Sequence, residues 1–191
     1  AIRSVSNFTR FIKENNYDET YTLDIGGNSS SLLKDIGAPS GSIIDPNASL
    51  EDNSKYSVIN SFYEDIDYKI FNEPKISIVS SHTLEHIESP RRFFKFLSSF
   101  NNLSNIYLQF PSLELMVQSN RYDLINNQHL HYFTLESIDF LAREFGFMIS
   151  NYEFDIDHYG TLRVAISKSN LLTDRSFSSL INLNNETKIS N

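Results

Sequence analysis

Short apolar runs alternate with helix-forming segments along most of this chain, and that alternation leaves few folds open. Phe8, Phe11 and Ile12 recur at helical spacing before a polar stretch and an apolar strand from Tyr21 to Ile25. The turn-rich GGNSSS follows, and Leu32-Leu33 resume a helical pattern. A second strand, Ser42-Ile43-Ile44, stops at Asp45-Pro46, because proline has no N–H to continue a ladder. Tyr56 to Phe62 reads as a third strand. Lys75 to Ser80 reads as a buried fourth that runs into a helix from Thr83 through Leu97, kinked or divided at Pro90. Asn105 to Phe110 is a fifth strand ended by Pro111, and Thr134 caps a helix through Ile138, Phe140, Leu141 and Phe145, closed by Gly146. Phe147 to Phe154 and Thr161 to Ser167, joined around His158-Tyr159-Gly160, form a final hairpin. The expectation is an α/β fold: a mostly parallel seven-stranded sheet with one antiparallel strand and helices on both faces.

At 191 residues the chain suits one domain with a single large core. Residues 1–168 are assigned to that domain, and the polar, Asn/Ser-rich 169–191 to a tail or linker. The chain starts at Ala1 rather than Met, so a longer parent protein is expected. A formal net charge of -8 repels phosphate backbones, and the densest basic spot, Arg91-Arg92 with Lys95, lacks interleaved aromatics. Nucleic acid is therefore not an expected partner. With no cysteine, thiolate chemistry and disulfides are excluded. No apolar run approaches the ~20 residues of a membrane span, and no signal peptide is visible, so a cytoplasmic protein is expected.

The chemistry concentrates where strands end. Asp24-Ile25-Gly26-Gly27-Asn28 closes the first strand, and a glycine pair there lets backbone approach a ligand at the carboxyl edge of the sheet. The phosphate-cradling GxGxxG is absent, which disfavours a pyrophosphate and an NAD-dependent enzyme and suits a nucleoside without phosphates. Asp45 ends the second strand, where an acid accepts both ribose hydroxyls. The plainer alternatives are that Asp24 caps a turn and Asp45 opens an Asp-Pro turn. Phe62 either stacks on an adenine or belongs to the core. His82 and His86 stand four apart with Glu85 between them, but no third ligand is recognisable nearby, so no metal is expected. His131 and His158 read as surface or turn histidines.

These motifs, in this order, resemble the class I S-adenosylmethionine (SAM)-dependent methyltransferases, which implies a Rossmann-like fold and SAM as cofactor. LDIGGNSSSLL looks like the family's first SAM loop, IIDP like its ribose-binding acid, and VSSHTLEHIESP like the turn after strand four. The resemblance places Asp24, Gly26, Gly27, Asn28, Asp45, Phe62, Ser80 and His82 with the cofactor. Within the family, the segment LQFPSLELMVQSNRYDLINNQHLHYFTLESIDFLAREFGF is similar to the insertion that carries the active site in bacterial sugar C-methyltransferases. Three features depart from that pattern. Gln109 replaces the first Glu of E-x-P, and of the IYHEH signature only Ile125 and His129 remain; Ser29 and Ser30 stand where the sugar enzymes have Asp and Gly.

His129 is what remains for a general base, an imidazole titrating near neutral pH. The alternative is a histidine held structurally between insertion and helix cap. The function expected is methyl transfer from SAM to a small polar metabolite, a sugar nucleotide being the class the resemblance implies, with oxygen or carbon as acceptor left open. The rival is a noncatalytic binding module on the same fold. Oligomeric state is not readable from the sequence.

Overall fold

The structure, a computed structural model, describes residues 2–18, 20–49, 55–156 and 160–169. Seven strands form one sheet: β1 (Tyr21–Ile25), β2 (Gly41–Ile44), β3 (Tyr56–Ile59), β4 (Ile76–Ser81), β5 (Leu103–Pro111), β6 (Phe147–Asp155) and β7 (Thr161–Lys168). Their order is β3-β2-β1-β4-β5-β7-β6. All neighbours run parallel except β7, which is antiparallel to both β5 and β6. The expected sheet, with its single antiparallel strand, is therefore present. Strand order reverses between β1 and β4, which opens a crevice at their carboxyl ends.

Helices cover both faces because each strand alternates its side chains between two apolar layers. On one face, Phe8, Phe11 and Ile12 of α1 (Ile2–Glu14) and Leu32, Leu33 and Ile36 of α2 (Ser31–Ile36) pack on Ile43, Val79, Tyr107 and Ala165. On the other, Phe93, Phe94 and Leu97 of α3 (Pro90–Ser98) and Ile138 and Ala142 of α5 (Leu135–Glu144) pack on Ile78, Ile106, Leu108, Leu162, Val164 and Ile166. Burying such a Phe or Leu contributes about 1.5–3 kcal/mol each, so both layers are needed to hold a sheet this wide.

Two expectations change. The helix expected from Thr83 begins only at Pro90, and residues 82–89 form a turn-rich loop. Proline lacks the N–H and clashes inside a helix but fits its first position, where the Ser89 hydroxyl accepts the Arg92 N–H at 3.3 Å. The third strand ends at Ile59, not Phe62, because the Ser61 N–H turns back to the Ile59 carbonyl at 2.9 Å. The insertion carries a short helix, α4 (Leu113–Gln118), capped by Ser112. The Thr134 cap is present as a reciprocal capping box with Ser137, both bonds close to 3.0 Å. Among the described residues, no helix is long and apolar enough to cross a membrane. The assigned tail lies outside the described residues apart from Ser169, as does His158.

Candidate active site

At the carboxyl ends of β1, β2 and β4 lies a cleft of about 530 Å³, a volume within the range of small-molecule sites. Ile25, Gly26 and Ile44 form its floor, Asp45 and Pro46 one edge, Phe62 and Tyr63 a second, and His82, Thr83, His86 and Ile87 a third. Four of the residues assigned from sequence, Gly26, Asp45, Phe62 and His82, thus line the same cleft.

The glycine pair is explained by packing inside the protein as much as by access to a ligand. Gly26 sits at φ +78°, in left-handed backbone, and a Cβ there would overlap the Thr83 side chain. The Thr83 hydroxyl bonds the Ile25 and Ser81 carbonyls at 3.3 and 3.2 Å, clamping the β4 loop over the end of β1. A Cβ on Gly27 would overlap the Asp24 carboxylate, which lies beneath the loop rather than on the cleft wall. Asn28 is exposed on the loop crest, where its carbonyl accepts the Ser49 N–H at 3.4 Å. Ser80 is buried below the floor, its hydroxyl donating to the Ile25 carbonyl at 2.8 Å. Ser80 and Asp24 therefore shape the cleft from behind.

Asp45 shows that its two sequence readings are compatible. Its Oδ1 accepts the Asn47 N–H at 2.7 Å, an Asx turn, while the residue still faces the cleft. Phe62 is 62% exposed, so it is a wall and not core. Its exposure follows from the early end of β3: outside the ladder, the ring is free to point across the crevice.

Burial pushes the Asp24 carboxyl up to about 7, with the nearby Asp45 charge adding to the shift. In the folded chain Asp24 thus keeps its proton over a range where the unfolded chain releases it. The stability this protonation supplies is full below about pH 4 and is lost as pH rises through 7. Unfolding free energies of wild type and Asp24→Asn should therefore diverge between pH 4 and pH 8, wild type losing roughly 4 kcal/mol relative to the variant. Parallel pH profiles in urea titrations would refute this.

The histidines divide between the cleft wall and the segment behind it. His129 is not on the cleft wall; its ring meets that of His86 edge-on at 5.0 Å, and His86 stands between it and the cleft. The imidazoles that face the cleft are His82 and His86. His82 has left-handed backbone at φ +53°, a costly state for a residue with a Cβ, and its Nδ1 lies 3.3 Å from Glu85 Oε1. His131 behaves as a turn histidine, with Nε2 3.3 Å from the Glu88 carbonyl and its ring against Phe133.

Sequence reading missed a polar row that crosses the sheet beside the site. Gln109 on β5 is opposite Ser81 on β4 and Arg163 on β7, and Arg163 is opposite Glu153 on β6. Gln109 Nε2 donates to Ser81 Oγ at 2.9 Å, and its Oε1 accepts Arg163 Nε at 2.7 Å. Arg163, fully buried, bonds Glu153 and Asp155 at 2.6 Å each. Gln109 is thus a neutral bridge between the arginine and the end of β4. The only signal was an arginine inside the apolar run TLRVAIS.

Comparisons with known proteins agree with this architecture. The model of the methyltransferase-domain family matches residues 3–151. No curated protein matches the sequence significantly. Among solved structures, the chain is similar to 1,6-didemethyltoxoflavin-N1-methyltransferase from Burkholderia thailandensis, with S-adenosylhomocysteine (SAH) bound. They share 10% identity at a TM-score of 0.64, over 87% of this chain and 78% of that one. The plantazolicin methyltransferase in complex with SAH is 14% identical at a TM-score of 0.62, over 87% and 83%. The magnesium protoporphyrin IX methyltransferase of Synechocystis PCC 6803, also with SAH, is 12% identical at 0.60, over 87% and 82%. At such identities these likenesses speak to the fold. The family match, spanning β1 to β5, the glycine loop and the cleft they build, means that the chain belongs to the methyltransferase-domain family.

Proposed function

We propose that this chain is a SAM-dependent methyltransferase that holds its cofactor in the cleft at the ends of β1, β2 and β4 and methylates a small polar metabolite. The observation that carries the reading is Asp45: a carboxylate at the end of the second strand, on the wall of an apolar cleft, in a chain of this family. The residues present fit a nucleoside with a cationic sulfonium. Ile25, Ile44, Phe62 and Ile87 offer apolar surface for a base, and Asp45 an acceptor for ribose hydroxyls. Asp45, Glu64, Asp65 and Glu88 outnumber Arg92 around the rim, a field that attracts a cation and repels free phosphates.

When bound, SAM supplies a methyl group already activated as a sulfonium. The chain's own part is to position the acceptor, exclude water and take a proton. His82 is placed for the last task, on the wall and backed by Glu85. The sequence-assigned base, His129, supports this cluster from behind His86. The finer reading, a nucleotide-linked sugar acceptor, rests on the likeness of the segment from Leu108 to Phe147 to sugar C-methyltransferases. Sugar hydroxyls suit a wall of carboxylates and imidazoles, whereas the diphosphate would have to lie beyond it. The domain is taken to end at Lys168, and nucleic acid is not a proposed partner.

Calorimetric titration with SAH tests the reading. Saturable binding is expected in the wild type, and Asp45→Ala should weaken it about 10–100-fold, the loss of charge-assisted hydrogen bonds of ~1.5–3 kcal/mol. No saturation in the wild type, or an unchanged affinity in the variant, would remove the assignment.

A further inference from the structure

We infer that Glu85, His86 and His129 form a binding site for a divalent first-row transition-metal ion at the back of the cleft. One ligand atom from each of the three residues lies within 4.8 Å of the others, close enough for one ion to reach all of them. Glu85 and His86 come from the loop after β4, and His129 from the segment between α4 and α5. Backbone bonds bring them together: the Glu85 carbonyl accepts the N–H groups of Leu130 and His131 at 2.8 and 3.3 Å.

The unsatisfied atoms point to a missing cation. Glu85 is 2% exposed, and its Oε2 is buried without a hydrogen-bond partner among the described residues. The same holds for His129 Nδ1. Burying a carboxylate oxygen and an imidazole nitrogen unpaired is costly, and a shared cation would satisfy both. Glu85 Oε1 is already used, 3.3 Å from His82 Nδ1, so Oε2 is the oxygen left for an ion.

His86 has the outer contact typical of a metal ligand. Its Nδ1 lies 2.9 Å from the Gln128 carbonyl, which can only accept, so the proton is on Nδ1 and the Nε2 lone pair is left free, 4.0 Å from Oε1 of the Glu85 carboxylate. The donor set is two imidazoles and one carboxylate, which suits zinc, manganese or iron better than magnesium or calcium. With three protein ligands, a coordination position remains open. His86 is on the cleft wall, so that position is nearest the cleft. An acceptor oxygen, from a sugar hydroxyl or carbonyl, is the group suited to it; this last step rests on the methyltransferase reading, while the metal site does not.

The test is calorimetric titration of the intact chain, freed of metal with EDTA, with Zn²⁺, Mn²⁺ and Mg²⁺. Saturable uptake of one Zn²⁺ or Mn²⁺ per chain is expected, weaker by about tenfold or more in Glu85→Gln and in His129→Ala. His131→Ala, which removes a neighbouring histidine that is not a ligand, is the control and should bind like the wild type. Circular dichroism reports whether each variant folds; if Glu85→Gln does not, His129→Ala decides. No saturable uptake by the wild type, equal losses in His131→Ala and His129→Ala, or tighter binding of Mg²⁺ than Mn²⁺ would overturn the site. Titration of the metal-free wild type with SAH separates the two claims. SAH binding without metal uptake refutes only the metal site, and metal uptake without SAH binding refutes only the cofactor reading.

Discussion

Arg163→Ala should lower the unfolding free energy by about 3–5 kcal/mol, the cost of breaking a buried ion pair by removing one partner. The guanidinium is fully buried and bonds Gln109, Glu153 and Asp155 on the strands to either side. Without it, two carboxylates are left close together with no central cation, and Gln109 Oε1 loses its donor. The cluster also reaches α1, where Arg10 bonds Glu153 at 2.7 Å and Asn7 bonds Asp155 at 2.9 Å, so the helix is loosened too. Typical domains are stable by about 5–15 kcal/mol, so this one change consumes a large fraction of the margin. Arg163→Lys should recover only part of the loss, since one ammonium cannot reproduce a planar fork. Urea unfolding measures both. Arg121→Ala, which removes an exposed pair with Asp123, is the comparison and should cost far less, because solvent screens that pair. A loss for Arg163→Ala no larger than for Arg121→Ala would show that the row does not hold the sheet edge together.

The second large effect is expected at Gly26. Alanine there must adopt left-handed backbone, costing roughly 1–2 kcal/mol, and its Cβ meets the Thr83 side chain, adding about 1–3 kcal/mol of overpacking. Relief by a shift of Thr83 breaks its hydrogen bonds to Ile25 and Ser81 and moves the loop that carries His82, Glu85 and His86. SAH affinity should therefore fall by about 100-fold or more, beyond the stability loss. Gly37→Ala separates the two causes: Gly37 has φ +76° but no atom within 4 Å of an added Cβ, so it pays only for backbone. Gly26→Ala with Thr83→Gly should recover binding in part. Equal stability losses at Gly26 and Gly37, with SAH binding intact, would sink the steric account.

The site was half legible. Asp24, the glycine pair and Asp45 stand out because a strand end, a turn former and an acid are adjacent in the chain, and the sheet only has to place consecutive strands side by side. Phe62 and His82 followed from the same logic and do face the cleft. His129 was singled out as a candidate base, and the structure sets it behind His86 rather than on the cleft wall. Its neighbour His86 takes the cleft wall, and no local pattern reveals which of two imidazoles lies in front. The third partner for Glu85 and His86 escaped notice because it comes from the far side of β5.

What the sequence by itself determined is the α/β alternation, the single antiparallel strand, the helix cap at Thr134 and the glycine loop at the carboxyl end of the first strand. These depend on periodicity and on turn and cap chemistry, which act over a few residues. Tertiary structure alone decided where the Thr83–Leu97 helix begins, that Phe62 leaves the ladder, that Arg163 is buried, and that Glu85, His86 and His129 meet. Each of those outcomes depends on which strands become neighbours, and side chains distant in the chain become partners only after the sheet has formed.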